Sequence, residues 1–200
     1  MNANAIFVNC PFDNKYKPML RALIFIARFY NLQVNISSYN IDSKSNRLER
    51  IKEMMKASRY SIHDLSLLKS EKSNEYYRMN MPFELGLDYG LGIDGKVFLI
   101  FENEEFELKK ALSDISGWDV RHHKNEPEIM MNEFRRWIVA DDNISDDMKV
   151  HSGAQIWVKY NVFYGAYSDY LKDHNMKEDE ISIKEFIHYV DSYLNKNVIG

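Results

Sequence analysis

The chain has 200 residues, 45% of them apolar, with 26 basic against 30 acidic side chains and a net charge of -4. That length and apolar share are enough to bury a core, which excludes a disordered chain, and the scattered basic residues exclude the electrostatic footprint of a dedicated nucleic-acid binder. A single cysteine, Cys10, excludes an internal disulfide framework.

The first residues carry neither a basic region nor a signal-like apolar run, and the apolar stretch 23–29 is broken by Arg28 and too short to span a bilayer. A cytoplasmic protein without membrane contact is expected. In chain order, apolar runs of strand length then alternate with helical periodicity. Residues Ala5 to Asn9 read as a first strand, and Asp13-Asn14 can cap a helix from Tyr16 to Tyr30 with Pro18 in its first turn. Leu32 to Ile36 is a second strand. Ser45 or Asn46 opens a helix through Lys56, in which Leu48, Ile51, Met54 and Met55 recur at helical spacing. Tyr60 to Leu65 is a third strand, Pro82 suits the N1 position of a helix through Leu91, and Lys96 to Phe101 is a fourth, continuously apolar strand. A helix at Phe106 to Ser113, a short strand at Trp118 to His122 and an amphipathic helix at Glu128 to Val139 complete the repetition.

This order predicts an α/β fold: a doubly wound, flavodoxin-like parallel sheet over residues 1–145. Beyond it, 146–200 reads as a helical extension, with helices at Gln155 to Leu171 and Ile183 to Leu194 and no strand between them. The first is crowded with Trp157, Tyr160, Phe163, Tyr164, Tyr167 and Tyr170, more aromatic surface than one contact with a sheet covers. Either it packs on the last helix or it presents a surface for a second copy or another protein.

Two acids stand out. Asp64 interrupts a strand that should be buried, where an unpaired charge costs several kcal/mol. It either accepts hydrogen bonds from a ligand's sugar hydroxyls or is satisfied structurally, by capping the next turn or by pairing with Arg59 or Arg78. Glu84 is placed in the first turn of the next helix, where the macrodipole contributes roughly 0.3 to 1 kcal/mol and keeps a carboxylate ionised. Such an anion suits a nucleophile or an oxocarbenium stabiliser at an anomeric carbon, or it simply favours the helix start. Ser66 and Asn80 are short polar neighbours able to complete a pocket. The turn Asn9-Cys10-Pro11-Phe12-Asp13 can meet a phosphate with its amides and stack Phe12 on a base, or it is an ordinary strand-to-helix turn. Loop 37–46 reads as a lid bringing Tyr39 or Arg47 to ligand, or as solvated chain. Gly90-Leu91-Gly92-Ile93-Asp94-Gly95 matches G-x-G-x-x-G literally but follows a helix and precedes a strand, so it reads as a helix C-cap and turn. His122-His123 places neighbouring side chains on opposite faces of a strand, a poor arrangement for one metal, and both read as surface histidines. No metal site is expected.

Three stretches, Ile6-Phe7-Val8-Asn9-Cys10-Pro11-Phe12-Asp13, Arg50-Ile51-Lys52 through Ser58-Arg59-Tyr60-Ser61-Ile62, and Pro82-Phe83-Glu84-Leu85-Gly86, resemble a prokaryotic TIR-like domain. They are also similar to the nucleoside 2-deoxyribosyltransferase-like families. The resemblance spans Ala5 to Phe101. It implies a nucleotide N-glycosidase that hydrolyses or cyclises NAD, acting in bacterial anti-phage defence, with Glu84 and Asp64 catalytic. In that function Asn9, Cys10, Phe12, Asp13, Ser66 and Asn80, read above as pocket residues, are expected to bind substrate; by the same resemblance NAD is substrate and not cofactor, and activity depends on a homo-oligomer. Two other functions fit the same residues: a non-catalytic nucleotide sensor or TIR-like scaffold, and a glycosidase acting on nucleosides or nucleoside monophosphates.

Overall fold

The computed structural model describes residues 1–36, 46–67, 79–115 and 117–197. The apolar runs form β1 (Asn2–Asn9), β2 (Gln33–Ile36), β3 (Ser58–Asp64), β4 (Val97–Glu102) and β5 (Val120–His122). They pair in the order β2-β1-β3-β4-β5, and every pair is parallel. The expected doubly wound sheet is therefore present. Its central strands are covered on both faces, which is why Ile6, Phe7 and Val8, or Leu99, Ile100 and Phe101, run apolar without alternation.

One face carries α1 (Lys17–Phe29) and α5 (Pro127–Ile138), and the other carries α2 (Arg47–Ala57), α3 (Asn80–Gly90) and the short α4 (Glu107–Ala111). Helix α1 is apolar nearly all round because the sheet lies on one side of it and three other helices on the other. Asn46 caps α2 by accepting from the Leu48 amide at 3.0 Å. Gly92 and Gly95 adopt φ of 58° and 70°, so the G-x-G-x-x-G match is the left-handed turn that takes the chain from α3 into β4.

The C-terminal segment contributes α6 (Asp146–Lys149), α7 (Gly153–Asp173) and α8 (Ile183–Asn197). Ser152 and Gln155 close a capping box at the start of α7. Tyr160, Phe163 and Tyr167 turn inward, Trp157 and Tyr164 are partly covered, and Tyr170 stays exposed. Phe163 stacks on Phe25 of α1 at 5.3 Å, and Tyr167 meets Phe186 of α8 edge-on at 5.3 Å. Two flanking helices thus cover a surface too large for one. Among the described residues no helix is long and apolar enough to cross a membrane.

Candidate functional site

β1 hands over to α1 on one face of the sheet and β3 hands over to α3 on the other, so the chain parts beyond Asn9 and Asp64. Ligands bind in such a crevice in open parallel sheets. Here it holds a cavity of about 340 Å³. The β1–α1 turn supplies Asn9, Cys10 and Phe12, the first turn of α2 supplies Arg47, and α3 supplies Asn80, Met81 and Glu84.

Glu84 is the fifth residue of α3, because the helix begins at Asn80 and not at Pro82. It therefore sits in the second turn, beyond the reach expected of the helix dipole. The residue is only 6% exposed, and its carboxylate makes no hydrogen bond among the described residues. Burial pushes the Glu84 carboxyl above the ordinary carboxylate range, and the Arg47 charge opposes this only in part. The direction is opposite to the one expected for a first-turn acid.

One turn further along α3, Asp88 anchors a buried polar chain that ends at the cavity. Ser61 Oγ donates to Asp88 Oδ2 at 2.6 Å, His63 Nε2 donates to the same oxygen at 3.1 Å, and Lys96 Nζ donates to Oδ1. Burial alone would raise the Asp88 carboxyl, but the bonds from His63, Lys96 and Ser61 hold it below its ordinary value. Burial also lowers the His63 pKa against the opposing pull of Asp88, and the Asn9 amide donating to Nδ1 leaves the ring proton on Nε2. His63 Nδ1 then accepts from Asn9 Nδ2 at 3.0 Å, while the second proton of that amide goes to the Met81 carbonyl at 3.0 Å. A carbonyl can only accept, which fixes the amide orientation. Asn9 is left with Oδ1 as the acceptor it offers a ligand.

Asp64 is fully buried and does not line the cavity. Tyr16 Oη donates to its Oδ2, His123 Nε2 donates to the same oxygen at 3.0 Å, and the Ser66 amide donates to Oδ1 at 2.9 Å. The Asn125 amide donates to His123 Nδ1 at 3.0 Å, which fixes that ring with its proton toward Asp64. Burial would raise the Asp64 carboxyl, but His123, Ser66 and Tyr16 outweigh it and hold it low. Of the two readings of Asp64, the geometry supplies the structural one: a carboxylate tying together the turns that follow β1, β3 and β5. Asp64→Asn is expected to cost about 2–4 kcal/mol at neutral pH, measured by urea denaturation. The folded pKa is depressed, so this stability is complete above the unfolded value of about 3.9 and is lost as pH falls through the folded one. The variant should accordingly show a flatter acid limb than the parent chain.

Ser66 lends Asp64 its amide, and its side chain is not among the cavity walls. Asp13 accepts from the Tyr16 amide at 3.0 Å and lines a neighbouring cavity. Arg59 pairs with Asp141 at 3.0 Å and not with Asp64, and Arg78, Tyr39 and the lid 37–45 lie outside the described residues. His123, read as a surface residue, is wholly buried. Cys10 touches the cavity, but burial first, then the charges of Asp64, Glu84 and Asp13, push its thiol well above its ordinary pKa, so it supplies no thiolate. Sequence reasoning missed Asp88, Lys96 and His63; the four-residue spacing of Glu84 and Asp88 on a helix was the available signal. Among the described residues no group of three or more acidic, His or Cys side chains is placed to hold a metal. Comparisons with family models, curated proteins and solved structures find no match to this chain.

Proposed function

We propose that the chain is a nucleotide N-glycosidase cleaving, or cyclising, NAD or a related nucleotide, and that it serves bacterial anti-phage defence. The observation that carries this reading is Glu84, a buried carboxylate without a hydrogen-bond donor among the described residues, on the wall of a nucleotide-sized cavity that also holds the cation Arg47. An anion in that state is stabilised most by positive charge that develops beside it.

When a C1′–N bond breaks, its electron pair leaves with the base and the ribose carbon becomes cationic. Glu84 supports that carbon from one face or attacks it, and water or a base nitrogen of the same molecule then completes the reaction. Asn9 Oδ1 accepts from a ribose hydroxyl, Asn80 holds the sugar, Phe12 stacks on a base, and Arg47 pairs with phosphate. Asp64 acts at a distance, by holding the turn that carries these groups.

The same groups favour a leaving base that needs no proton. Among the described residues His63 and His123 commit their Nε2 protons to Asp88 and Asp64, and the only acid in the cavity is Glu84 itself. Nicotinamide departs from NAD as a neutral molecule, whereas a purine nucleoside demands protonation of its base. Purified protein incubated with NAD is expected to release nicotinamide, and with inosine or inosine monophosphate to release at least a hundredfold less base. Equal release from both would contradict this reading, and nucleotide binding without release would point to the sensor.

A further inference from the structure

A second cavity, of about 270 Å³, adjoins the first, and Phe12 lines both. Phe12 is 39% exposed in the β1–α1 turn and forms the partition between them. The walls of the second cavity are mostly apolar: Leu20 and Ile24 of α1 face Ile181, Ile183 and Phe186 around the start of α8, with the buried Arg21 as the charged exception. Packed helices leave few voids larger than a water molecule, so a space of this size between α1 and α8 is a cleft and not a packing defect. Its far side is pinned in place, because Glu178 accepts from Arg21 Nη2 and Lys17 Nζ through its carbonyl at 3.1 and 3.3 Å.

The rim carries a different chemistry. Asp13 engages the Tyr16 amide through Oδ1, which leaves Oδ2 unbonded among the described residues, and the Asn14 side chain next to it makes no hydrogen bond there. An acceptor beside an amide matches a ring edge that offers an amino group next to a ring nitrogen, as adenine does. Hypoxanthine carries a carbonyl oxygen in place of the amino group and an N–H in place of the ring nitrogen, so in the adenine pose its oxygen faces the Asp13 carboxylate and it must shift along the rim to donate there instead. Lys17 Nζ, at the mouth, keeps protons for a phosphate.

We propose that this cavity is a subsite for the distal adenine of a dinucleotide, with Phe12 standing between the two halves of the substrate, an assignment that rests on the glycosidase reading of the Glu84 cavity. The substrate class is then adenine dinucleotides, in preference to mononucleotides. Titration calorimetry with adenosine monophosphate tests the subsite without turnover. The parent chain is expected to bind it at least tenfold tighter than inosine monophosphate. Ile183→Trp, which fills the cleft, is expected to weaken it at least tenfold, and Asn14→Ala, an exposed change that spares the core, at least threefold. In turnover, the preference of Ile183→Trp for NAD over nicotinamide mononucleotide should fall at least tenfold. Equal affinity for the two monophosphates, or undiminished binding of adenosine monophosphate by folded Asn14→Ala and Ile183→Trp, would overturn the subsite. Adenine-selective binding without nicotinamide release from NAD would leave the subsite standing and remove the glycosidase. Nicotinamide release without adenine selectivity would do the reverse.

Discussion

Glu84→Gln is expected to lower nicotinamide release by about a thousandfold and, at neutral pH, to melt at a higher temperature than the parent chain. The two effects have one origin. Burial raises the Glu84 carboxyl above its unfolded value, so its contribution to stability is complete below about pH 4.3 and is lost as pH rises through the folded pKa. At pH 7 the ionised carboxylate is held in the cavity wall at a cost that the neutral amide avoids. The gain is about 1 kcal/mol, or roughly 2–4 °C for a chain of this size. Thermal melts at pH 7 and at pH 4 check the sign, because the advantage of the variant should shrink as Glu84 becomes protonated. A variant that melts lower at pH 7 would show instead that Glu84 supports the helix.

Asp88→Asn should be the most damaging single change in the α3 cluster, costing about 3–5 kcal/mol. Its partner Lys96 has a side chain only 1% exposed, so removing the carboxylate leaves a cation buried beside the Met55 carbonyl. The loss corresponds to roughly 6–20 °C in melting temperature. Adding Lys96→Met to the same chain removes the stranded charge and should restore more than half of the loss. Base release should also recover in the double variant, because the amide oxygen at position 88 can take the place of Oδ2 and still accept from Ser61 and His63, which keeps His63 against Asn9. Urea denaturation of the single and double variants checks the stability arm. A cost under about 1 kcal/mol for Asp88→Asn would mean that the cluster is solvated.

The elements were legible because each rests on local pattern. Continuous apolar strands, Asn46 as a cap and glycines at positive φ are properties of neighbouring residues, and the observed strand order follows from alternation with right-handed crossovers. Glu84 reached its cavity for the same reason, since the α3 start always lies beyond the strand ends. What failed was what depends on distant residues. Asp64 was visible as a charge in a buried strand, but its donors Tyr16 and His123 lie 48 and 59 residues away. Nothing local marks Asp88 and Lys96 as a buried pair, which they become only when β3 and α3 close over them. The aromatic side of α7 could not be assigned an inward direction before α1 and α8 took their places on it. The upward shift of the Glu84 carboxyl follows its burial, which the place of an acid along a helix does not reveal.

The most direct measurement is a crystal structure of Glu84→Gln soaked with NAD, whose slow turnover would preserve the bound substrate. The anomeric carbon of the nicotinamide ribose is expected about 3–3.5 Å from the side chain at position 84, with a ribose hydroxyl on Asn9 Oδ1 and a phosphate on Arg47. NAD bound with both riboses outside the cavity between β1 and α3, or with the scissile bond turned away from position 84, would contradict the account.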